Sequence, residues 1–239
     1  MNVLVVGNGQ MGAVVYKELT CRGDSVTIAP DLNRPPAEGY LTEESFDILI
    51  DFSHPDGIES IVAFSRTKKI PAVIGTTGYT DKQFKLINDL GKVVPVLYSG
   101  NYSLGVILME RLVREAARVL GSDFDIEIIE KHHQHKIDAP SGTAKMLLAA
   151  ANEHLNCKVI YGRKGECKRG EKEIAVHTIR AGSIVGEHEV LFGGADEILS
   201  IKHEALSKSI FAKGAIKAGE WLIGQEIGLY SMEDVLFGG

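Results

Sequence analysis

The densest group of side chains capable of proton transfer lies in one short segment, Glu130–Ala144. It contains three of the eight histidines and two lysines: His132, His133, His135, Lys131 and Lys136. Histidine exchanges protons near neutral pH, and a lysine adds a positive charge that can stabilise an anion. The segment is therefore a candidate acid–base site.

Ser141 is predicted to begin a helix, which places Gly142 and Thr143 in the first turn. Backbone N–H groups at a helix N-terminus bind anions, so these residues could hold a carboxylate. Two other interpretations stay open: a solvent-exposed polar loop, or a zinc site made by the three neighbouring histidines. Against zinc, adjacent histidines of an extended chain point apart, and no fourth ligand has a familiar spacing.

A second motif follows the first predicted strand and begins the first predicted helix. It has the pattern G-x-G-x-x-G and consists of Gly7, Asn8, Gly9, Gln10, Met11 and Gly12. In a dinucleotide site, the first glycine makes the tight turn, the second lets a pyrophosphate approach the backbone, and the third lets helix and strand pack closely. A plain glycine turn is the alternative interpretation.

The residue that meets the cofactor ribose should lie about 20 positions later, at the end of the second strand. Asp31 is near that position but follows Ala29 and Pro30, whereas Asn33 and Arg34 could bind a 2′-phosphate. The segment therefore leaves NADH and NADPH both open as the cofactor.

Two further loops follow predicted strands at the sheet edge where parallel sheets bind ligands. The first contains Gly75, Thr76 and Thr77, and the second contains Ser99, Gly100, Asn101 and Tyr102. Their small and hydroxyl-bearing residues suit a nicotinamide or a ribose, although strand-ending turns have a similar composition. The remaining histidines are isolated, and for His188 a core or surface position is favoured over a place in the site.

Short apolar segments alternate with helical patterns through the first hundred residues. Strands are predicted at Asn2–Val6, Ser25–Ala29, Asp47–Phe52, Ala72–Gly75 and Val93–Leu97. This alternation predicts an α/β fold of the Rossmann type, with a doubly wound parallel sheet covered by helices on both faces.

The second half changes character near residues 102–104. Strand patterns recur at Asp125–Lys131, Ile174–Ile179, Glu187–Phe192 and Ile198–Lys202, and no convincing helix separates the last three. These patterns favour a smaller α+β domain with a mixed or antiparallel sheet.

Composition excludes several classes of protein. The 239 residues include 44% hydrophobic and 24% charged residues, and the net charge of −6 argues against a partner such as nucleic acid or an anionic membrane. Cys21, Cys157 and Cys167 form neither a metal-ligand pattern nor an even disulfide set, and the N-terminus lacks a signal-peptide pattern. We therefore expect a cytoplasmic protein.

Taken together, these features resemble the 4-hydroxy-tetrahydrodipicolinate reductase (dihydrodipicolinate reductase) family of bacterial lysine and diaminopimelate biosynthesis. The segment Glu130–Ala144 matches the family signature E-x-H-H-x-x-K-x-D-x-P-S-G-T-A at every fixed position. Further similarity lies in Arg180–His188 and Gly228–Leu236.

The resemblance implies an NADH- or NADPH-dependent reductase that acts on a cyclic dicarboxylate and forms a homotetramer. It makes His132 the catalytic acid/base and Lys136 the proton donor. The residues that it assigns to a substrate carboxylate are His133, Gly142 and Thr143.

The same resemblance places the cofactor on the glycine motif and on the loops Gly75–Thr77 and Ser99–Tyr102. It implies an NAD(P)-binding domain over 1–102, joined by the C-terminal segment from about 208 to 239. A substrate-binding and oligomerisation domain would cover 103–207.

This chain departs from the family pattern in two places. Many members have an extra residue in the glycine loop and an acidic–basic pair where this chain has Ala29 and Pro30, and Lys208 lies where a hinge arginine is common. Two alternatives remain: a regulator that senses nucleotides without turnover, and another two-domain dehydrogenase that acts on an amino-acid-like substrate. Neither accounts for the complete signature between His132 and Thr143.

Overall fold

The computed structural model describes residues 1–29 and 45–238, so Asp31, Asn33 and Arg34 lie outside the described residues. In chain order, the strands are β1 (Asn2–Val6), β2 (Ser25–Ala29), β3 (Ile48–Asp51), β4 (Ala72–Ile74), β5 (Pro95–Tyr98), β6 (Asp125–His132), β7 (Lys158–Tyr161), β8 (Glu173–Arg180), β9 (Gly186–Gly193), β10 (Ile198–Ala205) and β11 (Gly228–Tyr230). The helices are α1 (Gln10–Arg22), α2 (Ile58–Lys68), α3 (Asp81–Leu90), α4 (Leu104–Leu120), α5 (Gly142–Asn152), α6 (Ser209–Leu222) and α7 (Met232–Phe237).

The chain divides into two compact units. One unit combines Met1–Leu104 with Lys208–Gly239, and the other contains Gly105–Ser207. None of the described helices combines the length and the apolar character needed to cross a bilayer.

The first unit contains a six-stranded sheet in the order β11-β5-β4-β3-β1-β2, with every pair parallel. The order reverses at β1, and ligands of doubly wound sheets bind at such a reversal. The arrangement confirms the predicted Rossmann-type fold.

Alternate residues of β3 show why both faces of this sheet are apolar. Leu49 belongs to the same core cluster as Ile58 and Ile61 of α2. On the opposite face, a Cβ on Gly219 of α6 would lie 3.2 Å from Cδ1 of Ile48. Helices therefore cover both faces, which explains why these strands are apolar runs rather than alternating patterns.

The second unit contains a five-stranded mixed sheet in the order β10-β9-β6-β8-β7. Strand β6 pairs parallel with β8 and antiparallel with β9. On one face, Ile128 and Phe192 pack with Val113 of α4 and Leu147 of α5. This sheet confirms the predicted mixed arrangement.

The sequence patterns do not predict β7, β11 or α7. Strand β11 has three residues and α7 has six. Strand β11 forms by pairing with β5, from Gly228 opposite Pro95 to Tyr230 opposite Leu97. A tertiary contact, rather than local sequence, therefore defines this strand.

Candidate functional site

The glycine motif forms the turn between β1 and α1, where the strand order reverses. Gly7 has a φ of +102°, and a Cβ there would lie 2.4 Å from the carbonyl oxygen of Phe52. A Cβ on Gly12 would lie 1.9 Å from the carbonyl oxygen of Gly7, whereas a Cβ on Gly9 would meet no described atom within 4 Å. Gly7 and Gly12 thus permit close backbone packing, while Gly9 borders open space at the N-terminus of α1, where an anion could approach.

The other residues of the motif surround this turn. Asn8 and Gln10 are exposed, and Met11 is half-buried. Lys208 donates a hydrogen bond from Nζ to Oε1 of Gln10 at 2.6 Å. A positive charge therefore lies beside the first residue of α1.

The loops that follow β3 and β4 are bonded to each other. Gly75 lies against the ring of Phe52, which a Cβ would approach to 2.4 Å at Cε1. Thr76 is buried, and its Oγ1 accepts a hydrogen bond from the backbone N–H of Ser53 at 2.9 Å. Thr77 is exposed, so it is the member of this loop whose side chain is most accessible.

A buried carboxyl group, that of Asp51, accepts hydrogen bonds from these loops. Asp51 is fully buried at the end of β3 and accepts hydrogen bonds from the backbone N–H of Ser53 at 3.0 Å and from its hydroxyl at 2.5 Å. Burial raises the pKa of Asp51, while the hydrogen bonds from Ser53 and Thr76 act in the opposite direction. Asp51 was not singled out in the sequence, because an acidic residue at a strand end has no distinctive pattern.

The loop after β5 is held by its own polar groups. Ser99 donates from its hydroxyl to the carbonyl of Asn101 at 2.6 Å, and Oδ1 of Asn101 accepts from the backbone N–H of Ser103 at 2.9 Å. Tyr102 is 2% exposed and donates its hydroxyl to the carbonyl of Ile74 at 2.8 Å. Gly100 is exposed. The Tyr102 side chain thus braces the loop against β4.

In the second unit, the acid–base cluster is built on the end of β6. Glu130 and His132 share one face of this strand because side chains alternate along it. Glu130 is fully buried, and its Oε2 lies 2.6 Å from Nδ1 of His132. Arg180 of β8 donates to both carboxylate oxygens, each at 2.8 Å, and the backbone N–H of Ser141 donates to Oε1 at 3.0 Å.

Burial and hydrogen bonding determine which groups of this cluster are ionised. Burial raises the pKa of Glu130, but the hydrogen bonds from Arg180, His132 and Ser141 outweigh burial and lower that pKa to about 2. Burial lowers the pKa of His132, and the negative charge of Glu130 offsets part of this effect. Near pH 7, Glu130 is therefore ionised and His132 is neutral.

Ser141 connects the cluster to the start of α5. Its Oγ accepts a hydrogen bond from the backbone N–H of Ala144 at 3.2 Å and lies 3.0 Å from Nε2 of His188 on β9. The ring centroids of His132 and His188 are 5.1 Å apart. Burial is the main cause that lowers the pKa of His188 to about 4. His188 is thus neutral near pH 7, and its Nε2 can accept a hydrogen bond from the Ser141 hydroxyl.

The remaining predicted residues lie in the loop after β6 and at the start of α5. Lys136 forms an ion pair with Asp138 at 2.7 Å, and its charge contributes to lowering the pKa of His132. Nδ1 of His133 is buried and has no hydrogen-bond partner among the described residues. Gly142 is exposed at the first position of α5, and Thr143 is half-buried.

Three members of the cluster were not predicted as site residues: Glu130, Arg180 and His188. The spacing of Glu130 and His132 was a usable signal, because residues two apart on a strand face the same side, although the predicted strand ended one residue before His132. The positions of Arg180 and His188 depend on the register of β8 and β9 with β6. No local pattern reports that register. Across residues 1–29 and 45–238, no three His, Cys, Asp or Glu side chains converge so that they could hold a metal ion.

Two family models match consecutive parts of this chain. The family model for the dihydrodipicolinate reductase N-terminus matches residues 1–102. The family model for the dihydrodipicolinate reductase C-terminus matches residues 105–236. Together they span both structural units.

Individual relatives are similar over nearly their whole length. A 4-hydroxy-tetrahydrodipicolinate reductase from Clostridium novyi (strain NT) is 45% identical over 239 residues, covering 96% of this chain and 95% of the relative. One from Caldanaerobacter subterraneus subsp. tengcongensis is 43% identical, with the same coverage. The solved structure of dipicolinate-bound dihydrodipicolinate reductase from Paenisporosarcina sp. TG-14 aligns with 99% of this chain and 100% of its own, at a TM-score of 0.78 and 21% identity. That structure shows the same fold.

Proposed function

This chain belongs to the dihydrodipicolinate reductase family, and on that premise we propose that it reduces 4-hydroxy-tetrahydrodipicolinate to tetrahydrodipicolinate in lysine and diaminopimelate biosynthesis. The observation that carries the proposal is the cluster of buried Glu130, His132 and His188 with half-buried Arg180, beside the start of α5. It combines a neutral histidine with an ionised partner next to a helix N-terminus.

The net reaction replaces a C–OH bond of the substrate with a C–H bond. Bound reduced nicotinamide supplies the hydride. The hydroxyl leaves as water and takes up one proton, so the protein must deliver that proton to the leaving oxygen. We assign delivery of this proton to Lys136 as the proton donor. His132, neutral near pH 7, is assigned as the catalytic acid/base, which takes up a proton and returns it within one turnover.

Residues of the first unit are proposed to bind NADH or NADPH. The open space at Gly9 and the close packing at Gly7 and Gly12 fit a pyrophosphate at the N-terminus of α1. The other residues assigned to the nucleotide are Asn8, Gln10, Met11, Gly75, Thr76, Thr77, Ser99, Gly100, Asn101 and Tyr102. For Tyr102, any contact would be through its backbone, since its hydroxyl is bonded to Ile74.

Substrate carboxylates are proposed to bind at the start of α5. Gly142 is exposed there, and the positive end of the helix dipole favours an anion. The buried Nδ1 of His133 offers a further polar atom to such a ligand. We assign one carboxylate to His133, Gly142 and Thr143. The dipicolinate carried by the Paenisporosarcina protein is a dicarboxylate, which supports this class of ligand.

We further propose a cytoplasmic homotetramer that assembles through the sheet of the second unit. Ile179 on β8 and Ile198 on β10 are exposed apolar residues of that sheet. Strand β10 is an edge strand with mostly exposed side chains. An exposed edge and face of this kind are typical of surfaces that pair with another chain. Sedimentation of the purified protein would give the mass of the assembly directly.

The experiment that tests the function is an assay of NADH and NADPH oxidation coupled to dihydrodipicolinate synthase, with aspartate semialdehyde and pyruvate. We expect oxidation that depends on both carbon substrates and on the synthase. Oxidation no faster than in a mixture lacking this protein would refute the proposed function.

A further inference from the structure

The carboxylate of Glu130 is surrounded by hydrogen-bond donors. Its Oε2 is bonded to His132 and Arg180, and its Oε1 is bonded to Arg180, Ser141 and, at 3.3 Å, Thr178. An ionised carboxylate only accepts hydrogen bonds. The ring proton of neutral His132 must therefore lie on Nδ1, which leaves Nε2 as its unprotonated nitrogen.

A neutral histidine has two tautomers, and the hydrogen bond at one ring nitrogen determines which is present. Gly186 lies beside the ring, since a Cβ added there would lie 3.1 Å from Nε2 of His132. The ring thus has a carboxylate at one nitrogen and a glycine beside the other.

We propose that Glu130 is the positioning residue for His132: held by Arg180, it keeps the imidazole in the Nδ1–H tautomer and in one orientation relative to the start of α5. This inference rests on the proposed function insofar as His132 transfers a proton during reduction. The link to α5 is direct, because the same carboxylate accepts from the backbone N–H of Ser141. A single buried group thereby fixes the acid/base and the proposed carboxylate site together.

The same strand offers a matched control. Glu127 lies three residues earlier, on the opposite face of β6, and its carboxylate also pairs with a histidine and an arginine. Its Oε2 lies 2.7 Å from Nε2 of His177, and its Oε1 lies 2.7 Å from Arg163. Glu127→Gln therefore removes an equivalent charge and an equivalent histidine contact without touching the cluster at His132.

The direction of the effect on His132 follows from the charges that face it. Three groups that face His132 add no negative charge: Arg180 from β8, His188 from β9 and Lys136 from the loop after β6. Asp138 carries a negative charge, but it is paired with Lys136. Loss of the Glu130 charge leaves the cations Arg180 and Lys136 dominant. We therefore expect Glu130→Gln to lower the pKa of His132 further, because the negative charge that favours the imidazolium is lost.

The test is a pH titration of the full-length protein, labelled with ¹⁵N and ¹³C in histidine, by NMR. His132→Gln and His177→Gln spectra assign the two signals. In the wild type, the neutral His132 ring should show the Nδ1–H tautomer. Glu130→Gln should lower the His132 pKa and abolish the preference for that tautomer, whereas Glu127→Gln should change only the His177 signal.

Turnover gives a second readout. Glu130→Gln should lower kcat by about 10²-fold, in line with the size of general acid–base effects, and should move the pH profile of kcat downward with the His132 pKa. Substrate KM should change less than kcat. Glu127→Gln should keep wild-type kcat and KM.

Neutralisation of Arg180 is separated from positioning of His132 by the double variant Glu130→Gln/Arg180→Gln, which removes both charges of this ion pair. If Glu130 serves only to neutralise Arg180, the double variant recovers the wild-type tautomer and turnover, and the proposal fails. It also fails if Glu130→Gln keeps the Nδ1–H tautomer. A wild-type protein without reductase activity would refute the proposed function alone, because the NMR readouts use no substrate.

Discussion

Substitution by alanine at Gly12 and at Gly9 of the glycine motif should affect two different properties, stability and nucleotide binding. In Gly12→Ala, the new Cβ would lie 1.9 Å from the carbonyl oxygen of Gly7, about 1.5 Å inside an ordinary contact. In Gly9→Ala, the new Cβ meets no described atom within 4 Å. The first change therefore perturbs folding, whereas the second enters only the space proposed for the pyrophosphate.

The magnitudes can be estimated separately. Overpacking costs about 1–3 kcal/mol and is near the upper end when the clash is with backbone, so Gly12→Ala should lower Tm by roughly 5 °C or more. Gly9 is the N-cap of α1 without a side-chain bond, and alanine there costs at most about 1 kcal/mol. Loss of the close approach to the pyrophosphate should weaken nucleotide binding by at least about tenfold, or 1.4 kcal/mol.

Thermal unfolding and calorimetric titration with NADH and with NADPH measure the two effects. We expect Gly9→Ala to unfold within about 3 °C of the wild type and to lose most of its nucleotide affinity. Wild-type affinity in Gly9→Ala would refute the assignment of the glycine turn as the pyrophosphate site. A Gly12→Ala protein as stable as the wild type would refute the argument from backbone packing.

Three further outcomes are expected. His132→Gln and Lys136→Ala should each lower turnover by at least about 10²-fold while nucleotide affinity stays nearly unchanged, and wild-type turnover in either variant would remove that residue from the mechanism. Activity should survive exhaustive dialysis against a chelator, and a loss that added zinc reverses would establish the metal interpretation of the histidines. His188 has a pKa of about 4 in the folded chain against 6.5 for an ordinary histidine, so folding favours its neutral form. Its contribution to the free energy of unfolding should be complete above pH 6.5 and decline as the pH falls toward 4. In denaturant titrations, His188→Gln should lose less stability between pH 6.5 and 4 than the wild type. An equal loss in both proteins would contradict the lowered pKa.

The parts predicted from sequence were those that local pattern determines. The first five strands of the parallel sheet follow from apolar runs, and the glycine turn follows from its place between β1 and α1. Such local patterns do not predict which distant strands and side chains pair in the folded protein. The bond between Arg180 and Glu130 depends on a parallel register that sets His132 opposite Arg180, and β11 exists only because it pairs with β5.

The polar loops illustrate the same limit at the level of side chains. Asn101 and Tyr102 are polar residues after a strand, which favours a ligand role. The structure shows that both also hold the loop, through Ser103 and Ile74. His188 shows the reverse, since an isolated histidine in a strand gave no indication that it would bond to Ser141.

The central claim is that this chain transfers hydride from a nicotinamide to the carbon that loses its hydroxyl. The most direct test uses NADH deuterated at both C4 positions in the coupled reaction, followed by mass spectrometry of the product. The account predicts tetrahydrodipicolinate that carries one deuterium, formed at a rate that His132→Gln lowers by at least about 10²-fold. Product without deuterium, formed while NADH is consumed, would contradict it.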